Sequence, residues 1–213
     1  MILHGYYRST AAWRVRIALN LKGLAAEHRF RHLRRGEQRD EAYMRLNPQG
    51  LVPALELDGG AVLTQSLAIC EYLDETRPEP PLLPREPVAR AKARAFAQAI
   101  ACDIHPVQNL KVLNRLGALG LDADARNAWA RWVIEDGLAA CESLLAAGGG
   151  GGGPFCFGAA PALADLCLVP QLFNARRFGA DLSGAPRLLA AEAACAALPA
   201  FRDAAPERQP DAE

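Results

Sequence analysis

Ile2–Phe30 reads ILHGYYRSTAAWRVRIALNLKGLAAEHRF, and a change of period within it decides the fold. Ile2 to Tyr7 is a short apolar segment of strand character. From Trp13 to Lys22 the apolar residues recur at Trp13, Ile17 and Leu21, with Val15, Ala18 and Leu19 in the neighbouring rows. That is helical spacing, and Gly23 is placed as its stop. Glu27 to Leu33 alternates as a second strand. A strand, a helix and a strand of these lengths can join as a right-handed unit with parallel strands.

Working outward, Asp40 to Leu46 predicts a short helix. Val52 to Leu57 and Ala61 to Leu63 predict two strands around the turn Asp58-Gly59-Gly60, a hairpin. Ser66 to Thr76 predicts a helix with Leu67, Ile69, Cys70, Tyr72 and Leu73 apolar. The order β-α-β-α-β-β-α predicts a mixed sheet with helices packed on it. Five prolines between Pro78 and Pro87 then end the pattern and read as a stiff linker. Beyond it only helical patterns remain. They are one long stretch from Val88 to Leu116, a second from Asp122 to Ala147, a third from Ala162 to Phe178 around Pro170, which should kink it, and shorter ones over Pro186–Ala197 and Pro199–Ala205. Six glycines, Gly148 to Gly153, read as a surface loop. Pro206 to Glu213 is a polar tail expected to fray. The organisation expected is therefore an α/β unit over residues 1–80 and an all-helical unit over residues 88–213.

The 213 residues carry 24 basic and 24 acidic side chains. No basic field marks a nucleic-acid surface. The six cysteines show neither CxxC nor metal-ligand spacing, so no metal site and no disulfide framework is expected, and a reducing compartment fits. The N-terminus lacks a basic region followed by a long apolar run, so no signal peptide is expected. No run of about 18 apolar residues exists to span a membrane.

Three short motifs carry chemistry. Tyr7-Arg8-Ser9-Thr10 stands between the first strand and the first helix, where free N–H groups and the helix dipole favour an anion. Taken alone, the hydroxyls are more simply read as Ser9 or Thr10 capping the helix. Asn47-Pro-Gln-Gly-Leu-Val-Pro53 leads into a strand. A cis Val52–Pro53 bond would leave the Val52 backbone able to pair with an extended peptide, whereas a trans bond makes an ordinary strand entry. Gln65-Ser66 opens the third helix, where Ser66 can cap or help bind a carboxylate.

In this order the motifs resemble the glutathione-binding domain of the glutathione transferases. Arg8 to Leu19, Asn47 to Pro53, Gln65-Ser66, Asp103-Ile-His-Pro-Val-Gln-Asn109, Leu163 to Gln171 and Asn174 to Phe178 resemble the zeta class over nearly the whole chain. The resemblance implies an α/β thioredoxin-like N-terminal domain and an all-α C-terminal domain. It implies glutathione as the cofactor and a homodimer whose interface is formed by the long helix from Val88 and the end of the first domain, and the cytoplasm is the compartment expected from the cysteines. Ser9 would hydrogen-bond the glutathione sulfur, with Thr10 beside it. Val52 would pair with the cysteinyl part, with Pro53 cis. Gln65 and Ser66 would hold the γ-glutamyl end, and Gln108 and Asn109 would contribute from the helical domain. His105 would serve the glycyl end.

Two positions depart from the class. Ala11 stands where many members have cysteine, which excludes a protein thiol from that loop. Ala162 stands where a serine or threonine usually caps the helix of Asp165, at a cost of about 1 kcal/mol. The resemblance implies isomerisation of a cis double bond conjugated to carbonyls, and Arg8 and Arg176 are the candidates to hold substrate carboxylates. Maleylacetoacetate is the first substrate expected, and Leu110-Lys111 after Asn109 favours it slightly. Maleylpyruvate, general conjugation, action on halo acids, and a non-catalytic binding protein of the same shape are the alternatives.

Overall fold

The computed structural model describes residues 1–148 and 152–213, so the middle of the glycine run lies outside the described residues. Two units emerge, one of Met1–Leu82 with Ala196–Glu213, the other of Leu83–Cys195.

The first unit is built on a four-stranded sheet. Strand β1 (Ile2–Gly5) leads into helix α1 (Thr10–Leu21), which returns the chain to β2 (Glu27–Phe30). Two 3₁₀ turns and α2 (Glu41–Leu46) precede β3 (Ala54–Glu56), β4 (Val62–Thr64) and α3 (Ser66–Thr76). The strand order is β2-β1-β3-β4. β1 and β2 run parallel with Ile2 opposite Glu27, and β3 is antiparallel to both β1 and β4. This is the mixed sheet that the β-α-β-α-β-β-α reading requires. Leu3 and Leu55, opposite each other in the register, are buried with Ile17, Ile69 and Leu73.

Helix α1 is buried on nearly every side from Thr10 to Leu19, including Arg14 and Arg16. One of its faces is covered by the chain's last residues, which the sequence reading assigns to the helical unit. α9 (Pro199–Arg202) and the segment after it pack on α1, where Arg16 Nε donates to the Ala204 carbonyl at 3.0 Å and Asn20 Nδ2 to Ala200 at 3.0 Å. Burial lowers the Arg16 guanidinium to about 10, and the Tyr6 and Tyr7 carbonyls accept its remaining bonds. The expected frayed tail is instead ordered: Gln209 is buried, and Asp211 accepts the Tyr7 N–H at 2.9 Å. At the other end of α1, Lys22 Nζ donates to Asp74 and to the Arg77 carbonyl, both at 2.7 Å, and to the Pro80 carbonyl. That ammonium ties the end of α1 to the end of α3.

The second unit is helical: α4 (Pro87–Gln98), α5 (Leu110–Ala118), α6 (Ala123–Ala146), α7 (Leu163–Phe178) and α8 (Pro186–Ala196), whose last residue falls with the first unit. The single stretch expected from Val88 to Leu116 is broken. After α4 the chain winds as a π-helix over Ala99–Ile104 and turns through residues 105–108. Pro106, which lacks an N–H and crowds the preceding turn, falls at this break and disfavours a continuous helix there. Gly137 on α6 permits the π segment to approach, because a Cβ there would lie 2.3 Å from Ile104 Cγ1. α7 runs unbroken through Pro170.

Candidate active site

Ser9 caps α1. Its φ and ψ of −66° and 113° are extended, and its Oγ accepts the Ala12 N–H at 3.2 Å. That bond occupies an acceptor lone pair and leaves the hydroxyl hydrogen to donate elsewhere. The first-turn N–H groups and the helix dipole add positive potential at the same place. Thr10 is buried, and its Oγ1 has no hydrogen-bond partner among the described residues. Arg8 lays its guanidinium over the Tyr7 ring at 5.3 Å and the Tyr6 ring at 6.0 Å. Burial pushes the Tyr6 hydroxyl above its usual range, with Arg8 opposing. Ala11 is buried, and none of the six cysteines belongs to this loop.

The second motif arrives through a network on Leu51. Its carbonyl accepts from the Tyr43 hydroxyl and from Asn47 Nδ2, each at 2.7 Å. Burial raises that tyrosine to about 12, so it remains a donor. The Val52–Pro53 bond is cis. Neither residue belongs to the ladder pairs, which begin at Ala54.

The third motif differs from its sequence reading. Ser66 is the first residue of α3 and not its cap. The cap position belongs to Gln65, which makes no side-chain capping bond and holds φ at 68°. Such a backbone costs on the order of 1–3 kcal/mol away from glycine and is tolerated where function requires it. Gln65 Nε2 donates to Gln49 Oε1 at 2.9 Å, which joins the second and third motifs. Ser66 Oγ accepts from Nη1 of Arg14 at 3.2 Å. Sequence reasoning missed Arg14, which is 1% exposed, because an arginine in an amphipathic helix reads as solvated.

The remaining candidates stand in the second unit. Asn109 caps α5 through its Oδ1, which accepts the Val112 N–H at 3.2 Å. Gln108 is buried, and its Oε1 accepts from Asn174 Nδ2 at 2.8 Å. His105 ends the π segment. Arg176, half exposed, is held by Glu192 through two hydrogen bonds of 2.6 and 2.5 Å, which raise its pKa. A substrate carboxylate would have to displace that glutamate. Asp165 is fully buried. It accepts the Ala162 N–H at 2.8 Å and the Cys156 N–H at 2.9 Å, so the acidic half of a capping box persists without the hydroxyl half.

Within the first unit, then, two helix N-termini that lack carboxylates in their first turns share one unit with a Val52 backbone outside the ladder. Such a set can hold an extended anionic peptide and stabilise a sulfur or oxygen anion at Ser9.

Comparison with known proteins agrees with that geometry. Residues 3–81 match the family described as the glutathione S-transferase N-terminal domain. A Vibrio cholerae protein named probable maleylacetoacetate isomerase is 49% identical over 100% of this chain and 98% of its own. A holo structure of maleylpyruvate isomerase, described as a bacterial zeta-class glutathione S-transferase, superposes with a TM-score of 0.96 at 46% identity, with both chains covered fully. A maleylacetoacetate isomerase of Methylobacterium extorquens with bound malonate and glutathione gives a TM-score of 0.96 at 43% identity, again over 100% of both chains. The chain belongs to the glutathione transferase family, in its zeta-class, maleylacetoacetate isomerase branch.

Proposed function

We propose that this chain is a glutathione-dependent cis–trans isomerase that converts maleylacetoacetate to fumarylacetoacetate. The observation that carries the reading is whole-length likeness, at 49% identity, to a protein bearing the isomerase name. The site's chemistry supports it independently. The residues present fit glutathione: α3 offers uncapped N–H groups and the Ser66 hydroxyl for a carboxylate, and the Ser9 hydroxyl has a hydrogen to donate.

What bound glutathione supplies is a thiolate, whose reversible addition to the double bond allows rotation about it. The protein's own residues make that possible. Ser9 donates its hydroxyl hydrogen to the sulfur, and the N-terminus of α1 adds its dipole, so the anion prevails nearer neutral pH. Thr10 adds a first-turn N–H. Val52 presents its backbone to the cysteinyl part beside the cis Pro53, and Gln65 and Ser66 hold the γ-glutamyl end. Arg8 offers a planar fork to a substrate carboxylate while its face rests on two tyrosines. His105, Gln108, Asn109 and Arg176 are proposed to bind from the second unit. Arg176 takes that part by exchanging Glu192 for substrate, and Arg176→Ala should then raise KM.

Maleylpyruvate is the second substrate to consider, because the zeta-class structure at TM-score 0.96 bears that isomerase's name. Offering both keto acids with saturating glutathione and comparing kcat/KM tests the reading. A preference for maleylacetoacetate supports it, preference for maleylpyruvate moves it to the second substrate, and turnover of neither removes it. A cytoplasmic homodimer acting in aromatic amino-acid breakdown belongs to the same proposal. Sedimentation at working concentration tests the dimer.

A further inference from the structure

Arg14 is 1% exposed, and it forms no ion pair among the described residues. Its Nη1 donates to Ser66 Oγ at 3.2 Å, while Nε and Nη2 are buried without a hydrogen-bond partner. A guanidinium does not deprotonate in a protein, so this is a permanent charge under the first residue of α3. Burying such a charge without a counter-ion is costly, and chains avoid it unless something supplies the opposite sign. The other charged groups buried near α1 are compensated: Lys22 has Asp74, and Arg16 has three carbonyls. Arg14 stands apart.

The direction of its bond also matters. A guanidinium only donates, so Arg14 occupies a lone pair of Ser66, and the serine hydrogen must go to another acceptor. Directly above lies a helix start with no side-chain cap and no acidic residue in its first turn. All these features want the same thing, a carboxylate at the N-terminus of α3.

We propose that Arg14 is a positioning residue for this site: its buried charge is neutralised by the α-carboxylate of the γ-glutamyl group, and its hydrogen bond fixes Ser66 as the donor to that carboxylate. The inference rests on the glutathione reading above. It assigns selectivity for the carboxylate to a residue beneath the site that touches no ligand itself.

The test is calorimetry with glutathione and with 4-aminobutanoyl-cysteinylglycine, which keeps the amine and lacks the carboxylate. The native protein should prefer glutathione. Arg14→Met should weaken glutathione binding about 10- to 100-fold, the loss expected of a charge-assisted interaction, and change affinity for the analogue less than about 2-fold. Arg14→Lys should restore part of the preference. Should Arg14→Met not fold, Arg14→Gln, which keeps a donor without charge, is read in the same way. Equal losses for both peptides, or a preference that survives neutralisation, would overturn the inference. So would a native protein that binds both peptides equally. A native protein that binds neither peptide would instead remove the glutathione reading itself.

Discussion

Replacing Ser9 with alanine separates two roles that the structure gives one hydroxyl. As the cap of α1, its oxygen accepts a single bond, from the Ala12 N–H at 3.2 Å. Losing that bond costs about 1 kcal/mol of stability, a fall of about 2–4 °C in Tm for a chain of this size. As the proposed donor to sulfur, the same hydroxyl supplies one charge-assisted hydrogen bond of about 1.5–3 kcal/mol. At about 1.36 kcal/mol per pKa unit, its loss raises the bound thiol by about one to two. The isomerisation rate with saturating glutathione should fall about 10- to 150-fold. Ultraviolet thiolate absorbance of the bound tripeptide, titrated against pH, reads the first quantity, and turnover reads the second. Ser9→Gly provides the control. Glycine caps nearly as well as serine, so this variant should keep its Tm and still lose the rate. Unchanged thiol titration and unchanged turnover in Ser9→Ala would refute the assignment. If Thr10→Val then lost activity, the buried, unpartnered Thr10 hydroxyl would take Ser9's place.

Four further outcomes are expected. Lys22→Met strands Asp74 in a buried position and should destabilise the protein by about 3–5 kcal/mol in denaturant unfolding. Gly137→Ala drives a methyl toward Ile104, so overpacking of about 1–3 kcal/mol should outweigh alanine's better helix propensity, and Ile104→Ala in the same chain should recover part of the loss. Asp165 carries a carboxyl raised by burial. The folded state therefore keeps its proton where the unfolded chain has released it. Its contribution to stability is full below the ordinary carboxylate pKa and is lost as pH rises through the folded value. Asp165→Asn should flatten that segment of the stability–pH curve, and an unaltered slope would count against the burial argument. Asp211→Ala leaves the Tyr7 N–H without its acceptor just before Arg8 and Ser9, so it should lower stability by about 1–2 kcal/mol and raise KM for glutathione.

Local chemistry makes much of the site legible in the residues. Ser9 is readable because a hydroxyl between a strand and a helix has few uses other than capping and anion binding. The cis bond before Pro53 lies among the alternatives because only proline makes that geometry cheap. Gln65-Ser66 is readable as a helix start, although the roles are shifted in the fold, with Gln65 in the cap position and Ser66 bonded to Arg14. Nothing local reveals Arg14, the pairing of Arg176 with Glu192, or the change to a π-helix after Gln98, and Pro106 alone hints at the turn that follows it.

The β-α-β-α-β-β-α unit and the helical character of the chain beyond it are written in the order of the residues, because hydrophobic period, proline and glycine act over a few positions. Long-range packing alone brings residues 196–213 back to cover α1 and keeps an arginine on that helix buried beneath Ser66. Burial depends on which distant surface arrives, and a helix's own spacing cannot record whether one of its faces will meet water or the far end of the chain.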